Sequence, residues 1–258
     1  MCIECGCGDS VPFGIKVLRV VAPGLLRANT VPAAVTEPVA DRQTVDLRVP
    51  LLAKNDQVAA GNRANFRARK ILALNLVSSP GAGKTTLLSR TLDDFGRETK
   101  CAVVVGDLET DNDARRLARP HAPVAQITTG TACHLDAGMV AKSVESLELA
   151  GVRVLFIENV GNLVCPAEFD LGEELRVVLL STTEGEEKPL KYPPIFKTAH
   201  VVLMTKVDVA DVLGFDRKLA ADNVRRIAPQ AKLISLSART GEGLAEWYAL
   251  LRSHLVAS

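Results

Sequence analysis

The sequence predicts an α/β fold: a mostly parallel sheet flanked by helices, preceded by a flexible, Cys-bearing N-terminal tail. Three observations carry this. Short, almost wholly apolar runs recur at 71–77, 101–105, 152–157, 175–180, 200–204 and 232–236, the pattern of strands buried on both faces. Helix-like stretches at 84–94, 111–119, 135–149, 216–228 and 243–255 alternate with them, and such alternation builds a parallel sheet. A Gly-rich turn joins the first run to the first of these helices.

Composition narrows the function classes. The chain has 258 residues, 47% hydrophobic and 24% charged, which is ordinary globular usage and excludes collagen, coiled coil and disorder throughout. Lys plus Arg number 31 against 30 for Asp plus Glu. A net charge of +1 gives no polyanion footprint, so nucleic acid is not an expected partner. No apolar run approaches the ~20 residues of a membrane span, so no membrane association is expected. The N-terminus lacks a basic stretch followed by an apolar one, so it is not a secretory signal. The expected location is cytoplasmic, where thiols stay reduced. Three of the six cysteines fall within the first seven residues. In that compartment a cluster reads as metal-binding rather than disulfide-forming.

In chain order, residues 1–8 form a Cys/Gly motif with almost nothing to bury. Residues 9–45 hold four prolines and no sustained period. They read as a flexible linker in which 17–21 could form an isolated strand. From residue 46 an amphipathic helix runs to Phe66 and leads into the main domain, 46–258. Residues 182–198, rich in Glu, Lys and Pro, read as a mobile loop.

The run at 71–77 feeds Ser78-Ser79-Pro80-Gly81-Ala82-Gly83-Lys84-Thr85-Thr86. Strand, small-residue turn and helix are the context a phosphate loop requires. Backbone N–H groups of Gly81, Ala82 and Gly83 would wrap a phosphate at a helix N-terminus. Lys84 would reach the β- and γ-phosphates, and the Thr85 hydroxyl would face Mg²⁺. One departure is that Ser78 stands where the G-x-x-x-x-G-K-[ST] pattern begins with glycine. The metal shell needs a carboxylate at a neighbouring strand end, and two candidates fit, Asp107 and Glu158. Glu109 and Asp113, in the acidic stretch after Asp107, read as a solvated loop and helix start.

Base selection rests on two further segments. Thr205-Lys206-Val207-Asp208 follows a strand, and Leu236-Ser237-Ala238-Arg239 follows another. An Asp carboxylate accepts from N1–H and the exocyclic amine of guanine and would stand unpaired against adenine. Lys206, Asp208, Ser237 and Ala238 therefore point to GTP, although Thr205 replaces the commoner Asn.

Two cysteine sets suit a soft or borderline metal. Cys2, Cys5 and Cys7 are compact, and Gly6 and Gly8 let the backbone fold around an ion. Cys133 and His134 are adjacent ahead of a helix, with Cys165 seven residues beyond Glu158. Spacing alone leaves this second set open between a metal site and a buried Cys with a helix-capping His. Cys101, inside a strand, reads as core.

Residues 1–8, 75–88, 130–137 and 156–172, with 55–66 and 203–208, together resemble the HypB family of hydrogenase nickel-incorporation GTPases, over 1–8 and about 46–255. The resemblance implies a SIMIBI-class P-loop NTPase fold. It implies slow, switch-like hydrolysis of GTP to GDP and phosphate, a GTP-dependent homodimer, and nickel delivery to [NiFe]-hydrogenase. The implied partners are a HypA-like accessory protein and the hydrogenase large-subunit precursor. Cys2, Cys5 and Cys7 match the family's N-terminal nickel site. Cys133, His134 and Cys165 match its G-domain site, which takes Ni²⁺ or Zn²⁺ near the dimer interface. Gly81, Gly83, Lys84 and Thr85 match the phosphate loop, and Asp107 and Glu158 the switch carboxylates. No His-rich tract is present, so bulk nickel storage is not implied. Three rivals are a urease-type maturation GTPase, which the N-terminal cysteines argue against, an ATP-using P-loop kinase, and a metal-buffering protein whose GTP site only controls assembly.

Overall fold

The structure is a computed structural model that describes residues 14–17, 48–109, 112–119 and 122–256. Among the described residues, eight strands form one sheet: β1 (Gly14–Val17), β2 (Leu72–Val77), β3 (Cys101–Asp107), β4 (Val124–Thr128), β5 (Val154–Glu158), β6 (Leu175–Ser181), β7 (Val201–Thr205) and β8 (Lys232–Ser235). Their spatial order is β1-β4-β3-β5-β2-β6-β7-β8. Strands β2 to β8 pair in parallel, and β1 lies antiparallel to β4.

Alternation along each strand assigns its two faces. Leu72, Leu74 and Leu76 join Val103, Phe156, Val177 and Leu203 in one core, closed by α2 (Lys84–Asp94), α3 (Asn112–Leu117) and α8 (Leu244–Val256). Ala73, Val104 and Leu155 face the other way, under α1 (Arg48–Ala68) and α4 (Ala137–Glu145). Val178, Leu180, Val202 and Met204 extend that layer beneath α7 (Arg217–Ile227). Helices thus cover both faces, as apolar parallel strands require.

Sequence and structure differ in three places. Strand β4 was not expected, because Gln126 interrupts its apolar run and Pro123 precedes it; yet Gln126 is buried and the strand pairs with both β3 and β1. Residues 182–198 are not a mobile loop. They hold α5 (Lys188–Lys191) and α6 (Pro193–Lys197), each with Pro in its first turn, and Ile195 and Phe196 are fully buried against β6 and β7. Prolines that signal a loop are equally suited to starting a helix. Residues 14–17 of the expected linker are the edge strand β1, whose four residues offer too short an alternation to stand out.

Helix α1 is fastened to the domain by polar contacts. Arg63 clasps both oxygens of Asp170 at 2.8 Å. Burial of Asp170 would raise its pKa, but the Arg63 fork and the Gly172 N–H outweigh that and hold it below the usual range. Gly172 has φ +88°, and a Cβ there would lie 2.6 Å from the Ala59 carbonyl oxygen and the Asn62 Cβ. Gly172→Ala is therefore expected to destabilise the chain by about 2–4 kcal/mol, from overpacking against helix backbone and left-handed strain. Urea unfolding would measure it, and a loss under about 0.5 kcal/mol, the scale of a neutral surface change, would contradict the packing.

Candidate functional site

The parallel strands present their carboxyl ends along one edge of the sheet, where open α/β folds bind ligands at a topological switch point. β2 lies between β5 and β6, and from its end the chain turns through residues 78–83 into α2. Gly81 and Gly83 adopt φ +74° and +101°, which the turn requires and which a side chain would resist. Ser78, the departure from the glycine pattern, is fully buried. Its Oγ accepts from Lys84 Nζ at 3.0 Å and donates to the Ser79 carbonyl at 2.6 Å. Serine here orients the lysine. Lys84 is 7% exposed, and burial lowers its pKa while Glu158 opposes that.

Thr85 Oγ1 donates to Glu158 Oε1 at 2.7 Å. The other oxygen, Glu158 Oε2, is buried with no hydrogen-bond partner. A buried carboxylate oxygen with an unmet lone pair beside a threonine hydroxyl is suited to an oxygen-liking cation. Burial pushes the Glu158 carboxyl up to about 7 against the pull of Lys84 and Thr85. The stabilisation from neutral Glu158 is fully present below pH 4.5, its ordinary value. It is lost as pH rises to about 7, roughly 3 kcal/mol in all. His134 opposes this, because burial lowers its pKa and stability falls as the pH drops below 6.5. The difference in unfolding free energy between wild type and Glu158→Gln isolates Glu158. It is expected to decline from pH 4.5 to 7.5 in ligand-free protein, and parallel profiles would refute the shift.

A cavity of about 360 Å³ opens over this loop, lined by Gly81, Gly83, Lys84, Thr85 and Thr86, by Asp107 at the end of β3, and by Glu158 through Gly161. Asp113 and Arg116 of α3 complete the wall. Asp113, expected to be a solvated helix residue, faces the cavity instead. Arg116 was not anticipated, and no local motif marks it.

A second cavity of about 270 Å³ lies beside the first, lined by Ala82, Gly83, Thr86, Lys206, Asp208, Ser237, Ala238 and Arg239. Gly83 and Thr86 border both. Thr205 Oγ1 donates to the Ala82 carbonyl at 2.7 Å, so the threonine that replaces asparagine still ties β7 to the phosphate loop. Asp208 is held below the usual carboxylate range, first by the Ser237 hydroxyl and then by Arg239. Arg239 Nε donates to Asp208 Oδ2 at 3.0 Å.

Cys133, His134 and Cys165 converge in a third place. Their ligand atoms lie within 4.8 Å of one another. Cys133 Sγ is 2.9 Å from Cys165 Sγ and 3.9 Å from His134 Nδ1. The capping alternative for His134 does not hold, because the N-cap of α4 is Asp136, which accepts from the Met139 N–H at 2.7 Å. His134 packs against Phe169 with ring centroids 4.0 Å apart and the planes tilted by 34°, and burial lowers its pKa, which favours the neutral ring that can ligate. Cys101 is fully buried in β3, as expected, and burial pushes its thiol up to about 12. Cys2, Cys5 and Cys7 lie outside the described residues.

Two asparagines on α1 bridge the ligand-bearing segments. Asn55 accepts from the Ala137 N–H at 2.9 Å and donates to the Asp170 carbonyl at 2.8 Å. Asn62 donates to the carbonyls of Ala137 and Leu171. Nothing in the sequence pattern signalled this.

A sequence profile described as the CobW/HypB/UreG nucleotide-binding domain matches residues 72–235. The hydrogenase maturation factor HypB of Azotobacter chroococcum mcd 1 is 47% identical over 94% of this chain and 75% of its own length. That of Escherichia coli (strain K12) is 41% identical over 96% of this chain and 97% of its own. The chain belongs to the HypB family of hydrogenase maturation factors. A crystal structure of HypB from Helicobacter pylori in complex with nickel covers 79% of this chain and 96% of its own, with TM-score 0.76 at 37% identity. FtsY from Mycoplasma mycoides shares only the fold, with TM-score 0.52 at 13% identity over 83% of this chain and 80% of its own. The HypB-family chain is thus an α/β protein with a nucleotide-binding domain. None of its described helices is long and apolar enough to cross a membrane.

Proposed function

We propose that this HypB-family chain is a GTP-hydrolysing nickel metallochaperone for [NiFe]-hydrogenase maturation, acting in the cytoplasm as a GTP-dependent homodimer. In this reading it works with a HypA-like accessory protein and the hydrogenase large-subunit precursor. The observation that carries it is the junction of two sites on one segment. Residues 158–165 begin at the carboxylate bonded to Thr85 and end at Cys165, beside Cys133 and His134.

Lys84 and the backbone of residues 81–83 hold the β- and γ-phosphates, and Asp208 reads guanine. Thr85, Asp107 and Glu158 are the groups that would hold Mg²⁺, whose charge offsets that of the phosphate oxygens. The same segment conveys nucleotide state to the thiolates. Gly161 passes so close to Pro80 that a Cβ would meet its backbone nitrogen at 3.0 Å. Asn159 Oδ1 accepts from the Leu135 N–H at 3.1 Å, two residues past Cys133. A shift of the segment with the γ-phosphate therefore moves both metal-bearing strands of chain, and linkage makes the effect reciprocal. Cys2, Cys5 and Cys7 would be a second nickel site that feeds the first.

The test is a Ni²⁺ titration of the reduced protein, followed by thiolate-to-nickel charge-transfer absorption, beside a variant lacking residues 1–8. A tight phase confined to the intact chain and a weaker phase in both are expected. Turnover should occur with GTP and not ATP. Equal nickel affinity with GDP and with a non-hydrolysable GTP analogue would overturn the coupling, and ATP turnover would favour a kinase.

A further inference from the structure

The phosphate cavity carries a charge problem that the residues assigned so far do not solve. Among the described residues, its ionisable lining is Lys84 and Arg116 against Asp107, Asp113 and Glu158, a formal sum of −1 with all ionised. A Mg²⁺-bound nucleoside triphosphate brings about two further negative charges. Lys84 is one cation, already fixed on Ser78 at 3.0 Å. Arg116 is the other cation among the described residues of the wall.

Its place is defined from both ends of α3. Ala114 and Leu117 are fully buried and pin the helix to the core. Next to its last turn, Arg119 bonds Asp93 at 2.8 Å and Ser89 at 2.8 Å, both on α2, and donates to the Arg116 carbonyl at 2.7 Å. The helix carrying Arg116 is thus bolted to the helix that starts at the phosphate loop. The guanidinium itself stays exposed at 57%, and its ion pair with Asp113 is long, 3.4 Å. Such a pair contributes little and is readily exchanged for a better acceptor.

Direction along the site decides which phosphate it meets. The base cavity joins the phosphate cavity at Gly83 and Thr86, and Arg116 lines only the second. It shares that cavity with Asp107, Glu158 and Gly161, none of which lines the base cavity. We infer that Arg116 is a catalytic residue in cis: it leaves Asp113 for the γ-phosphate and stabilises the charge that develops as that group is transferred. The inference rests on the GTPase reading above. In the step it assists, a water oxygen bonds to the γ-phosphorus while the bond from the γ-phosphorus to the β–γ bridging oxygen breaks. The electron pair stays on the β-phosphate of GDP, and the water proton passes to the phosphate released. A planar, always charged fork suits the equatorial oxygens better than an ammonium would.

The experiment is single-turnover GTP hydrolysis by the full chain and its Arg116→Ala and Arg116→Lys variants, with GDP affinity measured in parallel. Arg116→Ala is expected to slow hydrolysis by about 100-fold, the loss typical of one preorganised donor. GDP affinity should stay within about twofold, because GDP has no γ-phosphate. Arg116→Lys should recover part of the rate. Capture of aluminium fluoride beside GDP should occur in wild type and fail in Arg116→Ala. An Arg116→Ala rate within threefold of wild type would overturn the inference, as would equal loss of GDP and GTP binding. Should the alanine variant misfold, a wild-type-like rate for Arg116→Gln would overturn it equally. Absence of GTP turnover in wild type would instead sink the GTPase reading itself.

Discussion

Asp208→Asn is expected to weaken GTP binding by about 10⁴-fold and to create binding of xanthosine triphosphate. The size follows from hydrogen-bond accounting. A site built to meet two N–H donors with one carboxylate loses both an acceptor and a charge-assisted bond, and mispaired buried polar groups discriminate by 10⁴ or more. An asparagine amide offers one acceptor and one donor, the complement of xanthine's N1–H and 2-carbonyl. The fold should be little affected: the Ser237 hydroxyl can still donate to the asparagine oxygen, and the pair lost is with Arg239, itself 75% exposed, of a kind that contributes about 0–1 kcal/mol. Equilibrium binding of both triphosphates decides the matter. Undiminished GTP affinity would mean that the cavity beside Lys206 does not receive the base.

The phosphate loop was legible because its chemistry is local. Residues 78–86 adjoin in sequence, and a strand before them and a helix after them complete the anion site. Asp107 and Glu158 were legible as strand ends, since parallel strands bring such ends to one edge. The convergence of Cys133, His134 and Cys165 was legible only by resemblance. Cys133 and Cys165 lie 32 residues apart, and their meeting depends on Asn55 and Asn62 stapling the two segments from a helix some 75 residues earlier. Arg116 was illegible for a related reason. Its direction is set by how α3 docks on α2 through Arg119, and docking leaves no spacing rule in the sequence. Gln126 misled because a buried polar residue mid-strand breaks the apolar pattern on which strand recognition rests. The prolines of α5 and α6 misled because a turn signal and a helix-start signal are the same residue.

The second large effect concerns the thiols. In protein lacking residues 1–8, Cys165→Ser is expected to lower nickel affinity by about 10²–10³-fold and to abolish most of the charge-transfer absorption. Structural metal sites in small domains bind with about 10–16 kcal/mol over four ligands, so one thiolate carries about 2.5–4 kcal/mol. A serine hydroxyl does not deprotonate near neutral pH and cannot replace it. His134 needs no such proton loss, since burial already keeps its ring neutral. The pH dependence of binding should therefore come from the two thiols, with affinity rising as pH increases, and Cys165→Ser should halve the number of protons released. GDP affinity should be unchanged, because Cys165 lines neither nucleotide cavity. That separation makes the variant informative. If nickel binding and guanine-nucleotide binding were both lost, Cys165 would be a fold determinant. If only nickel binding were lost, the segment from Glu158 to Cys165 would carry a metal ligand at one end and a nucleotide contact at the other, as a switch requires.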